Sequence, residues 1–120
     1  MMTYNIKGTG IDITPELRAY VEKKLEQTTK FLADDPTAIA DIELEYAAGE
    51  NGKKYRAEFS LAATKEMHRA EARGDGLHEA VDICIEELTQ ELRRTKEKRE
   101  TLVRRGAAAI KDFVRGFRRR

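Results

Sequence analysis

A stripe of apolar residues, spaced three or four positions apart, runs along residues 77–92. Its members are Leu77, Val81, Cys84, Leu88 and Leu92. This spacing places them on one face of an α-helix. Acidic residues fill the first half of this segment, and basic residues dominate positions 93–99. The pattern predicts a long helix whose first half packs on a core and whose second half offers cations to a polyanion.

A second helical stripe lies in the N-terminal third of the chain. Its members are Leu17, Val21, Leu25, Thr28 and Leu32. Thr14 suits the N-cap and Pro15 suits the first helical position, so the helix is predicted to begin there. It is predicted to run to about Phe31, because Pro36 disfavours helical geometry in the residue before it.

Alternation of apolar and polar positions identifies four strands. Tyr4 and Ile6 mark a short first strand, and residues 39–46, 55–63 and 68–72 mark the others. The residues predicted to face the core from the last three strands are Ala40, Ile42, Leu44, Tyr46, Tyr55, Ala57, Phe59, Leu61, Ala63, His68, Ala70 and Ala72. Residues 49–52 indicate a hairpin turn, residues 64–66 another turn, and Asp75 an N-cap for the long helix.

The order of these elements predicts an α+β fold. It is a β-α-β-β-β-α two-layer sandwich, in which a four-stranded sheet carries both helices on one face and leaves a polar, rather acidic face open. Residues 1–100 form this domain, and residues 101–120 form a basic, amphipathic, helical C-terminal extension. Packing against the sheet is predicted to end at Arg99, which stands where the next core residue should be.

The extension has its own apolar stripe, set among arginines and one lysine. The stripe consists of Val103, Ala107, Ile110, Val114 and Phe117. It could fold back on the domain, pair with another chain or bind an anionic surface. If nothing covers it, the extension is predicted to be disordered.

Composition narrows the class of protein. A chain of 120 residues is expected to form one domain with a core that needs no disulfide. Its single cysteine fits a reducing cytoplasm, and we expect neither a signal peptide nor a membrane-spanning segment. The glycines of the Gly8-Thr9-Gly10 triplet indicate a turn rather than a nucleotide-binding loop.

The net charge of +1 hides a strong asymmetry. Residues 93–120 hold 12 of the 23 Lys and Arg residues and 3 of the 22 Asp and Glu residues, a balance of +9 against −8 for residues 1–92. Such an asymmetry indicates an anionic partner for the basic end, either nucleic acid or a membrane surface. The alternative is a solvated basic tail without a ligand.

The sequence contains no convincing catalytic or metal-binding constellation. His68 and His78 stand alone, without the spacing of a metal site. Cys84 lies on the apolar stripe, which predicts a buried small hydrophobe rather than a nucleophile. We therefore expect no enzymatic activity, no metal and no cofactor.

The basic residues form the candidate site. Arg94 and Lys98 are predicted to make one row beside the core stripe of the long helix, flanked by Arg93 and Lys96. Helices lying side by side on the sheet would bring these cations into one groove with lysines of the first helix, at a spacing suited to a phosphate backbone. The candidate RNA-binding residues are Lys23, Lys24, Lys30, Arg93, Arg94, Lys96 and Lys98.

Two stretches of the chain resemble the ribosome hibernation-promoting factors, also called ribosome-associated inhibitors or sigma-54 modulation proteins. They are IDITPELRAYVEKKLEQTTKF and RAEARGDGLHEAVDICIEELTQELRRTKEKRE. In the second stretch, Ala80-Val81-Asp82 stands for the start of the family's second helix. Leu88 and Leu92 stand for its two leucines, and the basic cluster closes the match near Arg99.

The resemblance implies a function without chemistry. It implies binding to 16S rRNA in the mRNA and tRNA channel of the small ribosomal subunit, which inhibits translation and preserves idle ribosomes in stress or stationary phase. It also implies a cytoplasmic protein with neither a small-molecule substrate nor a membrane partner, and a short form without a dedicated dimerisation domain. Lys24, Lys30, Arg94 and Lys98 match family contact positions. Departures from the family pattern stand at Gln27, Glu87 and Gln90.

A rival interpretation remains open. In it the protein is a basic-tailed interaction module, which binds a membrane surface or a protein partner through residues 103–117.

Overall fold

The computed structural model describes residues 2–32, 35–47, 52–63 and 65–118, with side chains described as far as Lys111. Its strands are β1 (Thr3–Thr9), β2 (Ile39–Tyr46), β3 (Tyr55–Ala63) and β4 (Glu66–Gly74), and its helices are α1 (Pro15–Glu26) and α2 (Leu77–Arg118), with a 3₁₀ turn at Thr29–Phe31. The element order therefore confirms the predicted β-α-β-β-β-α arrangement.

The four strands form one mixed sheet in the order β1-β2-β3-β4. β1 pairs with β2 in parallel, and the other two pairs are antiparallel. A parallel pair needs a long crossover, and α1 supplies it between β1 and β2. The register aligns Ile6, Ile42, Phe59 and Ala70 in one row across the sheet, so that their side chains share a face.

That face and both helices enclose a single hydrophobic core. The largest fully buried side chains include Phe59, Leu44 and Leu61 from the sheet, Val21 from α1 and Leu88 from α2. Because the buried sheet residues all lie on the face of the Phe59 row, both helices must cover that same face. The two-layer prediction is thus confirmed.

The first helix ends earlier than predicted, at Glu26 rather than near Phe31. Thr28 is fully buried, and its hydroxyl donates a hydrogen bond of 2.7 Å to the carbonyl of Leu25. Its backbone N–H bonds the same carbonyl at 3.0 Å, so the chain tightens from α-helical to 3₁₀ geometry. The five residues of the predicted stripe are nevertheless all buried.

Two smaller predictions were wrong. Tyr46 is 39% exposed at the end of β2, where its ring meets the edge of the Tyr55 ring instead of the core. Gly76 precedes the first residue of α2 and takes the N-cap position predicted for Asp75, whose backbone N–H donates to Glu79 at 3.2 Å. The predicted hairpin at 49–52 lies outside the described residues except for Gly52. In the predicted turn at 64–66, Lys65 has a positive φ of 64° and Glu66 begins β4.

The open face of the sheet is polar, as predicted, and Arg56 lies at its centre. Its guanidinium contacts Glu71 at 2.6 Å, Glu58 at 2.5 Å and Glu45 at 3.3 Å. These carboxylates raise the pKa of Arg56, most strongly through the hydrogen bond to Glu71. The surrounding carboxylates therefore neutralise the positive charge of Arg56. Because they outnumber it, this face is a poor surface for a polyanion.

Helix α2 continues as one helix of 42 residues, well past the sheet. Among the described side chains of α2, Leu92 is the last that is fully buried, and Arg99 is half-buried, which fits the predicted end of packing. Leu102, Val103 and Ile110 are 55%, 71% and 66% exposed, so these side chains of the extension are not packed against the domain. From Arg99 to its end the helix extends about 28 Å beyond the domain. Among the described residues, no helix is both long and apolar enough to cross a bilayer.

Candidate nucleic-acid interface

The cations of α1 are positioned by the cap at its start. The Thr14 hydroxyl accepts a hydrogen bond of 3.1 Å from the Leu17 N–H, which sets the start of the helix, and the burial of Leu17 and Val21 sets its rotation on the sheet. Lys23 then points into solvent, and Lys24 lies partly covered beside α2. The two lysines are therefore not equivalent.

Lys24 takes part in a contact between the two helices that we call the clasp, which consists of Tyr20, Lys24 and Asp82. The Nζ of Lys24 lies 3.3 Å from an Asp82 carboxylate oxygen, and the hydroxyl of Tyr20 donates a hydrogen bond to the same oxygen. Nζ also lies 5.5 Å from the centre of the Tyr20 ring. Burial, and then the hydrogen bond to Asp82, raise the pKa of Tyr20 to about 12. The contacts of Lys24 thus join α1 to α2, and its role in RNA binding stays a prediction.

Lys30 and Arg93 meet at the ring of Phe31. The Nζ of Lys30 lies 5.1 Å from the ring centre, and the guanidinium carbon of Arg93 lies 5.8 Å from it. Phe31 is only 8% exposed, and both cations are exposed around it. The 3₁₀ turn and α2 therefore bring two of the predicted residues together on a rigid apolar support.

The remaining cations of α2 do not share that position. Glu91 faces β4, where its carboxylate lies 3.4 Å from His68, whereas Arg93 faces the 3₁₀ turn on the other flank. Lys98 follows Glu91 by seven residues, or about two turns, so it lies on the β4 flank. Arg94 is exposed on the outer surface, with its Nε 3.5 Å from the Gln90 carbonyl.

The structure here differs from the single groove that the sequence predicted. Lys30 and Arg93 lie on the α1 flank of α2, and Arg94 and Lys98 lie on its outer surface and β4 flank. Lys96 follows Leu92 by one turn, beside the core face, and its Nζ lies 3.9 Å from Glu100. The cations therefore surround the end of α2 instead of facing one another. The sequence pattern could not exclude a single groove, because a helical stripe does not show on which side of α2 the first helix packs.

Two residues outside the predicted set belong to this region. Phe31 was treated only as the end of a helix, although an aromatic residue next to Lys30 was a usable signal. Arg99 was identified as the end of core packing. Its Nη2 lies 3.5 Å from the Phe31 carbonyl, so this contact joins α2 to the 3₁₀ turn.

The structure also places the cysteine and the histidines that were considered as candidate nucleophile and metal ligands. The described residues contain no group of three or more His, Cys, Asp or Glu side chains able to hold a metal ion. Cys84 is fully buried, as predicted, and its thiol donates to the Ala70 carbonyl at 3.2 Å. Burial raises the pKa of that thiol to about 12, which keeps it protonated at neutral pH. His78 packs edge-on against Tyr20.

Known proteins provide independent comparisons for this arrangement. The chain is 27% identical over 97 residues to a ribosome hibernation promotion factor of Bacillus subtilis, covering 81% of this chain and 50% of the relative. It is 31% identical over 94 residues to a factor of the same name from Picosynechococcus, covering 78% and 48%. The chain thus spans about half the length of the curated relatives it matches.

Solved structures agree with the fold. The N-terminal domain of Thermus thermophilus Protein Y matches with a TM-score of 0.69 and 30% identity, covering 79% of this chain and 99% of that domain. A ribosomal subunit interface protein from Coxiella burnetii, 23% identical, has the same fold with a TM-score of 0.64, covering 81% and 99%. The profile of one family, described as sigma 54 modulation protein / S30EA ribosomal protein, matches residues 4–100. The chain therefore belongs to the sigma 54 modulation protein / S30EA ribosomal protein family.

Proposed function

We propose that this protein is a ribosome hibernation factor. It binds 16S rRNA in the mRNA and tRNA channel of the small ribosomal subunit, inhibits translation and preserves idle ribosomes under stress. The observation that carries the proposal is the meeting of Lys30 and Arg93 at Phe31, on a domain whose relatives are named as hibernation promotion factors. The partner implies that the protein acts in the cytoplasm.

The proposed mechanism is competition for a site and needs no enzymatic step. Phosphates of rRNA would lie along the cations around the end of α2, displacing their counterions. Lys30 and Arg93 can contact one backbone segment together, because both are held at the same ring. Such contacts fix the position of the domain but read little sequence, so shape would supply the preference for the channel.

Charge reversal tests the interface directly. Arg93→Glu combined with Lys30→Glu should weaken co-sedimentation with purified small subunits at least tenfold at moderate salt. Each lost phosphate contact should also lower the slope of log affinity against log salt by about 0.7 to 0.9. Lys7→Glu is the control for a single charge reversal and is compared with Arg93→Glu alone, because Lys7 is exposed on the opposite face of the sheet.

Three results would contradict the proposal. They are binding by the double variant equal to that of the wild type, an equal loss in the Lys7 control, and binding that never saturates near one copy per subunit. Mutating His68 and His78 gives a further check, since neither is proposed to touch RNA. A clear loss of binding in folded His78→Ala would point to another site.

A second candidate function rests on the exposed apolar residues of the extension. Val103 follows Leu92 by eleven residues, about three turns, so it lies on the helix face that packs on the sheet further up. The sheet lies below α2 on that side, so a flat membrane would touch the end of the sheet before it reached Val103. The recess between the sheet and the extension therefore fits a protein segment better than a flat bilayer.

Truncation separates the two candidates. Deleting residues 101–120 should leave subunit binding within a few-fold of the wild-type value if the domain carries the hibernation function. Loss of binding to a protein partner, with subunit binding retained, would give the extension its own role. Loss of subunit binding in a truncated protein that still melts cooperatively would place the main RNA contact in the extension.

A further inference from the structure

The extension carries an apolar face that its own domain leaves open among the described side chains. At about 100° per residue, the core-facing side of α2 continues beyond Leu92 through one further set of positions. They share about one third of the helix circumference, and we call them the apolar arc: Leu102, Val103, Gly106, Ala109 and Ile110. The arc faces the recess beyond the end of the sheet, and more than half of the surface of each of its large side chains is exposed.

The basic residues of the extension lie outside the apolar arc. Arg104 and Lys111 lie towards the opposite side of the helix, and Arg105 lies on one flank. Two extensions can therefore meet arc to arc while their cations stay in solvent, as in helix pairs with an apolar seam. The high positive charge of the extension is thus compatible with pairing between two copies.

Gly106 lies at the centre of the apolar arc and has open space around it. No atom beyond its neighbouring turns lies within 4 Å of the place where a Cβ would stand. Glycine is an unfavourable residue in an exposed helix, and helices in proteins gain most of their stability by packing an apolar face. A second helix against the arc would supply that packing, and the glycine would let the two backbones approach closely.

The recess beneath the extension has the size of one helix. Only the sheet layer lies below α2 in the described structure, so the recess is one layer deep where the sheet ends. One helix is about 10 Å across with its side chains and fills one such layer. A second extension also has the right length, since each extension projects about 28 Å.

Only an antiparallel pair of extensions fits this recess. In a parallel pair, the half of α2 that packs on the sheet in one copy would occupy the place of the sheet in the other. In an antiparallel pair, the two domains lie at opposite ends, and the tip of each extension reaches the end of the other copy's sheet. A two-fold axis then relates the copies, so each contributes the same surface.

The sequence of the extension fits such a two-fold axis. Phe113 follows Gly106 by seven residues, or about two turns, so position 113 lies on the same side of the helix. With the axis between Ala109 and Ile110, Gly106 of each copy lies opposite position 113 of the other. The smallest residue type thus faces one of the largest, as interdigitated helix packing requires.

The flanks of the arc carry charges of opposite sign in the same register. Glu100 and Arg118 lie on one flank, and Arg105 and Asp112 lie on the other. A two-fold axis that crosses the helices brings like flanks together. Glu100 of one copy then comes within about one turn of position 118 of the second, and Arg105 within about one turn of position 112. Each of these contacts between opposite charges occurs twice, and each is weak at an exposed site.

We infer that this protein forms a two-fold symmetric dimer through its extensions, which pack antiparallel with their apolar arcs in contact. The partner that covers the arc is therefore a second copy of the chain. The inference goes beyond the proposed function and does not depend on it, because its test needs neither ribosomes nor RNA.

Sedimentation velocity of the full chain, purified free of nucleic acid, tests the pairing over a wide range of protein concentrations. We expect the mass to reach that of two chains and to rise no further. A mass of one chain at every concentration overturns the inference and leaves the arc to a different partner. Growth beyond two chains also overturns it, because a closed two-fold pair has no free arc.

One substitution in the arc has a matched control on the opposite side of the helix. Ile110→Glu places an unpaired charge in the interface and should raise the dissociation constant of the dimer by at least about tenfold. Ala108→Glu adds the same charge on the side opposite Gly106 and should change that constant by less than about threefold. Both residues are exposed in the single chain, so neither variant should lose the cooperative melting of the domain. Equal effects of the two substitutions would show that the arc is not the interface.

Disulfide formation tests the antiparallel orientation. Ala109→Cys places the two thiols beside the two-fold axis, so mild oxidation should link two copies. Leu102→Cys also lies in the arc, but its thiols would be about 22 Å apart along the helices, too far for a bond that needs Cα atoms within about 7 Å. The native Cys84 is buried and should not take part. Linkage of Leu102→Cys as rapid as that of Ala109→Cys would overturn the antiparallel pair.

Discussion

The clasp between the two helices gives a prediction whose size follows from the structure. Tyr20 and Lys24 of α1 both contact one carboxylate oxygen of Asp82 on α2. Tyr20→Phe removes a single hydroxyl, and Asp82→Asn removes the charge that both partners share. The two substitutions and their combination form a double-mutant cycle for the contact between the helices.

The expected coupling is about 1 kcal/mol. A hydrogen bond to a charged group contributes roughly 1.5 to 3 kcal/mol when it is well shielded. The Asp82 side chain is 48% exposed, however, so solvent screening reduces the value towards that of a surface interaction. Asp82→Asn should cost somewhat more than Tyr20→Phe, because it also removes the carboxylate partner of Lys24.

Urea unfolding at pH 7 measures the cycle, and Tyr46→Phe is its control. Tyr46 is exposed at the end of β2, so losing its hydroxyl should leave the free energy of unfolding unchanged. Equal effects of Tyr20→Phe and Tyr46→Phe, or a coupling below about 0.3 kcal/mol, would refute the reasoning. A changed m-value would instead indicate a changed native or denatured state.

The same clasp predicts a pH dependence with a defined sign. The folded protein raises the pKa of Tyr20 from about 10 to about 12, so folding favours the neutral phenol. The resulting stabilisation is fully present below pH 10 and is lost as the pH rises through 12. The stability difference between wild type and Tyr20→Phe should therefore shrink over that interval, and a constant or growing difference would contradict the assignment.

Three further predictions follow from burial. Leu88→Ala should lower the free energy of unfolding by about 2 to 5 kcal/mol in the same urea assay, because Leu88 is fully buried. Met67→Ala is the control and should be close to neutral, because Met67 is 67% exposed. Arg94→Glu with Lys98→Glu should weaken subunit binding severely and leave the melting temperature nearly unchanged, because both residues are exposed; unchanged affinity would remove them from the interface. The Cys84 thiol should resist alkylation at pH 8 until urea unfolds the protein, and rapid labelling of the native state would show that it is accessible.

The sequence predicted the sheet well because alternation reports directly on which side chains face a core. His68, Ala70 and Ala72 are all buried, although their strand had the weakest pattern. The prediction that Tyr46 faces the core was wrong, because the alternation does not show where the covering helices end. The pairing of β1 also needed the structure, since alternation gives a strand's faces but neither its neighbour nor its direction.

The candidate site was less predictable, for a geometric reason. A helical stripe locates the core-facing side of α2 but not the flank on which α1 packs. Lys30 and Arg93 could therefore be proposed as neighbours, but not distinguished from Lys98 on the other flank. The contact of Arg99 with the Phe31 carbonyl needed coordinates too, because a helical stripe does not show which residues meet the end of the core-facing side.

The single parallel pairing has a consequence for the order in which the protein opens. β1 lies at the sheet edge, and its burial alternates between exposed and partly buried, with no fully buried residue. Strands β2 to β4 form an antiparallel meander that, together with α2, holds most of the fully buried side chains. Hydrogen exchange should therefore reach β1 through a local opening that leaves the meander closed. We therefore expect the N-terminal strand to detach before the meander opens, while the end of α2 stays in place.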